Sequence, residues 1–191
     1  MFHASDCRRG GIFLLAAAFF LMALAACAHQ AVPLPRGFVP PDHDRLIPNV
    51  PFFPDDSKQC GPASLASVLN FHGGHYTVSE ISAAVFRPDL GGTVNLEMIY
   101  FARTQGYQAE WFSGTPADVV KAIDLGQPLV VMVNYGVYRV SKYHYMVVTG
   151  YSPDGITANS GMEKSKHIPW EDFWQDWSKA DRWTLLIKGR K

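Results

Sequence analysis

Cys60 stands directly before a run of apolar residues with helical spacing, in the segment QCGPASLASVLNF at residues 59–71. Leu65, Val68 and Leu69 recur at three- and four-residue intervals, which predicts an amphipathic helix with Cys60 at its N-terminus. Free backbone N–H groups and the positive end of the helix dipole stabilise an anion at such a position. We therefore expect a lowered pKa and a nucleophilic thiolate. A small buried cysteine that only packs the start of a helix is the alternative.

The first 26 residues have the pattern of a secretory leader. Two arginines are followed by an apolar run of about 16 residues, too short to cross roughly 30 Å of hydrocarbon as a helix. The run ends in Leu-Ala-Ala-Cys, at Cys27, which resembles the lipobox of bacterial lipoproteins. This resemblance implies cleavage before Cys27, lipid attachment to it, and residence in the bacterial cell envelope. Ala28 after the cysteine favours the outer membrane, facing the periplasm.

The cysteine count makes Cys60 unusual for an exported chain. The sequence has three cysteines, at positions 7, 27 and 60. Cleavage of the leader removes Cys7 and the lipid consumes Cys27, so Cys60 has no partner for an internal disulfide. A single remaining cysteine in an exported protein indicates either pairing between molecules or a reactive thiol.

A cysteine nucleophile requires a base, and His144 is the remaining candidate among seven histidines. His72 and His75 lie at the far end of the cysteine's own helix, roughly 16 Å away. His144 begins the apolar strand YHYMVVTGY. A structural histidine at a strand edge is the alternative reading.

Asn159 is the candidate for orienting that histidine. It lies in ITANS, which follows the strand of His144 after the turn SPDG. Antiparallel pairing returns Asn159 towards the level of Met146 to His144, where its amide oxygen can accept from the imidazole. An asparagine before Ser-Gly is also a common turn residue.

The element pattern predicts an α+β domain of two lobes. Helices are expected over about 61–71, from Thr77 as N-cap, over 94–104 and from Thr115, followed by mostly antiparallel strands and the short aromatic helix PWEDFWQDW. Seven of the thirteen prolines lie in residues 28–56. The predicted organisation is a leader (1–26), an extended Pro-rich tether (27–49) and a domain (50–191).

The three segments QCGPASLASVLNFHG, YHYMVVTGY and ITANSG together resemble the papain-like double-glycine, or bacteriocin-processing, cysteine peptidases, in particular their stand-alone lipoprotein branch. The resemblance covers about residues 50–188. It implies a papain-like fold with the cysteine on an N-terminal helical lobe and the histidine on a C-terminal antiparallel sheet. It also implies that Cys60 is the nucleophile, His144 the general base and acid, and Asn159 the orienting residue.

One departure from this family concerns the oxyanion hole. The family usually has a glutamine five or six residues before the cysteine, where this chain has Pro54 and Asp55. Gln59 is the remaining nearby glutamine, and it is the candidate for the oxyanion hole. The alternatives are that the hole relies on the backbone N–H of Cys60, or that activity is weak. An ionised Asp55 would repel the developing negative charge.

The expected partners are a peptide or protein substrate and, through the N-terminal lipid, a membrane. Lysine plus arginine and aspartate plus glutamate are both 17, and no basic stripe or phosphate-binding loop is present, so neither nucleic acid nor nucleotide is predicted. No cofactor is predicted, and a metal site at His72 and His75 is weakly supported. Two alternatives to a peptidase remain: a non-catalytic peptide-binding lipoprotein, and an acyl or peptidyl transferase that uses the same cysteine and histidine.

Overall fold

The computed structural model describes residues 32–55 and 58–190. The predicted leader (1–26), the lipidation site Cys27 and the first tether residues lie outside these ranges. The helices in the described part of the chain are α1 (Cys60–Phe71), α2 (Val78–Val85), α3 (Asn95–Thr104), α4 (Pro116–Asp124) and α5 (Trp170–Ser178).

The strands begin with three short ones, β1 (Arg45–Leu46), β2 (Phe86–Arg87) and β3 (Gly92–Thr93). The longer strands are β4 (Tyr107–Ser113), β5 (Leu129–Asn134), β6 (Tyr143–Ser152), β7 (Gly155–Ser160), β8 (Glu163–Pro169) and β9 (Trp183–Arg190). In the main sheet the longer strands run in the order β4-β9-β5-β6-β7-β8, all antiparallel, and β1 pairs with β6.

The predicted helix starts are confirmed by side-chain caps. The Thr77 hydroxyl accepts from the backbone N–H of Glu80, and the Glu80 carboxylate accepts from the backbone N–H of Thr77. Thr115 and Asp118 form the same reciprocal pair at the start of α4. Each pair satisfies backbone donors that a helix start would otherwise leave unpaired, so the local sequence alone determines where these two helices begin.

The α+β, two-lobed prediction is confirmed. Helix α1 carries Cys60 and packs against β5 and β6 of the sheet, and β6 carries His144. Nine consecutive residues of α1, from Gly61 to Leu69, are buried, because the sheet and the neighbouring helices α2 and α3 enclose it. Helix α1 is thus one of the most enclosed elements of the domain.

The segment 32–50 differs from the extended tether that the prolines predicted. The compact unit begins at Val32. Strand β1 pairs with the end of β6, Ile47 is buried, and the Trp174 indole donates to the carbonyl of Pro33 at 2.9 Å. We call residues 32–50 the strap. Proline residues prevent long helices and central strands. An extended chain that lies beside a sheet can still bury its apolar side chains and pair its remaining backbone groups with the sheet.

A bulge in β6 changes the register between β6 and β7. Ser152 to Gly150 pair regularly with Gly155 to Thr157, but Val148 then lies opposite Ala158, so that Thr149 is an extra residue. The Thr149 carbonyl accepts from the strap at the backbone N–H of Ile47, 2.8 Å away. A one-residue shift moves every later side chain of the pair to the opposite face.

Within the described residues, no helix has both the length and the apolar character needed to cross a bilayer.

Candidate active site

Cys60 is the first residue of α1 and the free thiol of the described chain. The backbone N–H groups of Tyr145, Gly61 and Cys60 all act to lower the pKa of its thiol, as expected for N–H groups near a helix N-terminus. Cys60 and Tyr145 line the same cavity, and Tyr145 lies on β6. Because Tyr145 directly follows His144, the thiol lies beside the part of β6 that carries the predicted base.

The pKa of Cys60 is raised, which contradicts the expectation that the helix terminus would lower it. Burial is the largest cause, and the negative charge of Asp55 adds to it. The three backbone N–H groups favour the thiolate but do not offset these effects. The sequence reveals the helix terminus but not how deeply the sulfur is enclosed, and desolvation penalises the charged form.

The imidazole of His144 lies between a serine and a tyrosine. Its Nε2 is 3.0 Å from the Ser160 hydroxyl, and the Tyr135 ring stacks on it with 5.7 Å between ring centroids and an angle of 28°. The pKa of His144 is lowered, chiefly by burial and secondarily by Lys166 and Lys142, while Asp55 acts in the opposite direction. Burial therefore favours a neutral imidazole, which is the form that can accept a proton.

The side-chain oxygen of Asn159 contacts a different group from the one predicted. It accepts from the backbone N–H of Ser165, at 3.0 Å, within the β7–β8 hairpin. Asn159 lies directly opposite Val147, so the two side chains share a face of the sheet. His144 points to the other face, because side chains alternate along a strand.

The bulge explains this arrangement. A regular continuation of the β6–β7 hairpin would place Asn159 opposite Val148, on the face of His144. The extra residue Thr149 instead places Asn159 opposite Val147, so that the next residue, Ser160, reaches the face of His144. Ser160 and Tyr135 are thus site residues that sequence analysis missed. The signal for Ser160 is its position parity along β7, which is readable only once the bulge is known.

Asp55, and not Gln59, borders the cavity next to the sulfur. This cavity, of about 20 Å³, is lined by Asp55, Cys60, Tyr145 and Asn159 among others. The Asp55 carboxylate accepts from the backbone N–H of Gln59, at 3.3 Å. The buried Oε1 of Gln59 has no hydrogen-bond partner among the described residues. An acidic residue therefore borders the cavity beside Cys60, and Gln59 does not.

A groove of about 980 Å³ leads to the thiol and the imidazole, both of which line it. The β2–β3 turn and the start of α3, residues 90–96, form one wall; residues 141–145 and Tyr135 form the other. Leu90, Leu96 and Tyr143 are exposed here. The groove has the size and the apolar walls needed to hold several residues of an extended chain.

Gly61 allows the wall of this groove to approach the nucleophile closely. A Cβ at position 61 would lie 2.5 Å from the Oγ1 of Thr93, a distance that real Cβ atoms do not show. The carbonyl of Thr93 in turn accepts from the hydroxyl of Tyr145, 3.3 Å away, and the same hydroxyl bonds Asn95. Glycine at position 61 therefore allows α1 to pack closely against the groove wall, and Tyr145 links that wall to β6 by hydrogen bonds.

The remaining histidine candidates have structural contacts. The Nε2–H of His72 donates to the carbonyl of Ile187, at 2.8 Å, and burial lowers the pKa of this ring. His75 is exposed. Neither residue borders the groove that holds Cys60 and His144.

A thiol at a helix N-terminus, facing a histidine on an antiparallel sheet across a groove, is the arrangement of the papain-like cysteine peptidases. Residues 47–184 match the model of the Peptidase_C39 like family. Since this match covers well over half of the chain, the chain belongs to that family, and by class it is a cysteine peptidase, a hydrolase. The resemblance inferred from the three sequence segments is confirmed.

Curated relatives include the transport/processing ATP-binding protein ComA of two Streptococcus pneumoniae strains. Each is 27% identical over 126 residues, which covers 64% of this chain and 17% of the relative. The chain thus spans less than a fifth of the length of these proteins.

Solved structures confirm the fold. A C39-like peptidase from Bacillus anthracis has a TM-score of 0.68 at 18% identity, over 78% of this chain and all of that one. The peptidase domain of Streptococcus ComA has a TM-score of 0.58 at 23% identity, over 76% and 98%. A double glycine motif protease from an AMS/PCAT transporter, in complex with its leader peptide, has a TM-score of 0.58 at 22% identity, over 82% and 97%.

Proposed function

We propose that this chain hydrolyses peptide bonds at the bacterial cell envelope, with Cys60 as nucleophile and His144 as general base and acid. One observation carries this proposal: Cys60, at the start of α1, and His144, on β6, line the same groove. A peptide substrate is supported by the similar protease that was solved with a leader peptide.

The contacts of His144 suggest which nitrogen reacts. Nε2 lies against Ser160, which leaves Nδ1 to take the thiol proton from Cys60. The thiolate then attacks the peptide carbonyl carbon, and the carbonyl oxygen becomes an oxyanion near the backbone N–H of Cys60. His144 gives its proton to the leaving amine as the C–N bond breaks, and then activates the water that releases the acyl group.

Substitution of the nucleophile tests this proposal. The full-length chain, purified in detergent, is incubated with a peptide-based thiol-reactive probe and with a mixture of synthetic peptides. We expect Cys60→Ala to abolish both probe labelling and peptide cleavage. Cys27→Ser is the matched control, since it removes another cysteine outside the domain, and it should retain both. Cleavage that persists in Cys60→Ala would refute the assignment.

Envelope anchoring is a separate part of the proposal and rests on the lipobox-like sequence that ends at Cys27. We infer cleavage after residue 26, lipid attachment to Cys27, and residence on the periplasmic side of the outer membrane. Intact-mass analysis of the membrane fraction should show a new N-terminus at Cys27 with the added mass of the lipid. Cys27→Ser should lose that mass, and a wild-type protein without it would contradict the anchor.

The orienting role of Asn159 and the oxyanion role of Gln59 stay predictions from the sequence. A second candidate function, peptide binding without cleavage, is favoured by Asp55, because its carboxylate borders the cavity beside Cys60 and raises the pKa of the thiol. Under this reading peptides bind in the groove but remain intact. Titration of labelled peptides, followed by mass analysis of the same samples, distinguishes binding from turnover.

A further inference from the structure

The imidazole of His144 has a polar neighbour in the hydroxyl of Ser160, 3.0 Å from Nε2. Ser160 is itself buried, and it reaches this face of the sheet because of the bulge at Thr149. We propose that Ser160, supported by Tyr135, is the positioning residue that orients His144 for reaction with Cys60. This inference rests on the proposed function and adds two residues to its machinery.

The hydrogen bonds allow one assignment of protons that is compatible with catalysis. If Nδ1 of His144 is to accept the thiol proton, Nε2 must carry the other ring hydrogen and donate it to Ser160. The Ser160 hydroxyl then uses its own hydrogen to donate elsewhere. Tyr135 is the candidate acceptor: it stacks on the same imidazole, and while burial raises the pKa of its phenol, the Ser160 side chain acts to lower it, as a donated hydrogen bond would. The relay therefore runs from His144 through Ser160 to Tyr135.

Tyr135 holds the ring in a second way. Its own ring stacks on the imidazole at 5.7 Å, so the plane of His144 is fixed by the stack while its rotation in that plane is fixed by Ser160. Tyr135 immediately follows β5, whose last residues pair with Tyr143 and His144 of β6. The two contacts with the imidazole thus come from either side of β6, one from the residue after β5 and one from β7.

Charged residues around His144 also affect how readily its imidazole takes up a proton. Asp55 is the acidic group that acts on the ring, and Lys166 and Lys142 are the basic ones. A hydroxyl stabilises the imidazolium less than a carboxylate would, since it carries no charge. The Ser160 hydroxyl should therefore stabilise the thiolate–imidazolium pair with Cys60 by about one hydrogen bond, and a carboxylate in its place should stabilise that pair more.

The test measures the reactivity of Cys60 as a function of pH. The full-length chain is treated with iodoacetamide between pH 5 and 10, and alkylation is quantified by mass spectrometry on the peptide that contains Cys60. Only the thiolate reacts, so the pH at which the rate rises reports how readily the ion pair with His144 forms. This readout requires no peptide substrate.

We expect Ser160→Ala to lower the rate at pH 7 by about tenfold and to move its rise to higher pH, because the imidazolium loses a charge-assisted hydrogen bond. Tyr135→Phe keeps the stacked ring but removes the acceptor, and should have the same direction with an effect of about threefold. Ser160→Asp places an anion against the same nitrogen and should move the rise to lower pH. Ser152→Ala, at the other end of β6, is the control and should change nothing.

Two results would overturn the inference. The first is a Ser160→Ala protein with reduced thermal stability but an unchanged pH profile, which would make Ser160 merely structural. The second is a shift of the profile in Asn159→Ala and none in Ser160→Ala, which would return the orienting role to the sequence-predicted residue. If Ser160→Ala does not fold, Ser160→Asp and Tyr135→Phe decide, since unchanged profiles in both would refute the relay.

Failure of this inference is distinguishable from failure of the proposed function. A protein that binds peptides without cleaving them would still show the alkylation profile of a thiol coupled to an imidazole. Conversely, an active peptidase whose profile ignores Ser160 and Tyr135 would keep its function and lose only this relay.

Discussion

Asp55 lies five residues before Cys60, at one of the positions where the double-glycine peptidases usually have a glutamine. We expect that replacing Asp55 by glutamine activates the enzyme. Its carboxylate lines the cavity beside Cys60 and raises the pKa of the thiol. It also cannot donate a hydrogen bond to an oxyanion while it is ionised. Asp55→Gln removes the charge and supplies an amide donor at once, so both changes should favour the transition state.

The donor provides the larger and more specific part of the expected gain. One oxyanion-hole donor contributes about 2.7–4 kcal/mol to transition-state stabilisation, or roughly 10² to 10³ in rate. The cavity of about 20 Å³ between Asp55 and Cys60 has room for one small polar group, and the neighbouring backbone N–H of Gln59 holds the segment in place. We expect the lower end, about a hundredfold, because the longer side chain must fit without the present bond to that N–H.

Two reactions of the same thiol separate the donor from the charge. Acylation of Cys60 by an N-acylglycine p-nitrophenyl ester passes through an oxyanion and releases a measurable burst of p-nitrophenolate. Alkylation by iodoacetamide reports the thiolate without forming an oxyanion. Asp55→Gln and Asp55→Ala should raise alkylation at pH 7 equally, whereas only Asp55→Gln should gain the additional hundredfold in acylation, about 2.7 kcal/mol.

Asp154→Asn, in the exposed turn between β6 and β7, is the control for a change of net charge. It should leave both reactions unchanged. Equal acylation rates for Asp55→Gln and Asp55→Ala would show that position 55 does not reach the oxyanion. A slower reaction in both would show that Asp55 contributes to catalysis, through its stabilisation of the His144 imidazolium.

Two further predictions concern stability. Gly61→Ala should lower the free energy of unfolding by about 1–3 kcal/mol, because the new Cβ meets Thr93. Gly92→Ala is the control and should lower it less, because the space at its Cβ is open. Equal losses of the two variants in urea titrations would contradict this. Burial lowers the pKa of His72 in the folded protein, so as the pH falls the imidazole is protonated first in the unfolded chain. The stability that this residue contributes above about pH 6.5 is therefore lost as the pH falls, by at most about 1.4 kcal/mol per pH unit. His72→Gln should flatten this dependence in urea titrations between pH 7 and 5, and an equal flattening in His75→Gln would refute the assignment to His72.

Most of the secondary structure followed from local patterns. The caps at Thr77 and Thr115 were readable because a capping side chain and its backbone partner lie within three residues of each other. Strand β8 has little signal in the sequence: its residues are mostly polar and exposed or half-buried, yet β7 pairs with it directly. An edge strand with polar side chains depends on its neighbour and leaves little hydrophobic signal.

The site was predictable in its two reactive residues and not in their surroundings. Cys60 and His144 border one groove, as the elimination of the other histidines and the family resemblance predict. The partner of the imidazole was not predictable, since it depends on one extra residue in β6. The raised pKa of Cys60 and the strap at the end of β6 likewise come from contacts between distant segments.

The sequence by itself determined the helix that begins at Cys60, the strand that begins at His144 and the family to which the chain belongs, because these depend on residue types at short, fixed intervals. Only the tertiary structure decided that burial outweighs the helix dipole at the thiol, that Asp55 borders the cavity at the sulfur, and that Ser160 and not Asn159 contacts the imidazole. Desolvation and strand register depend on the whole assembled sheet. A single bulge in β6 reverses which side chains of β7 lie on the same face as His144.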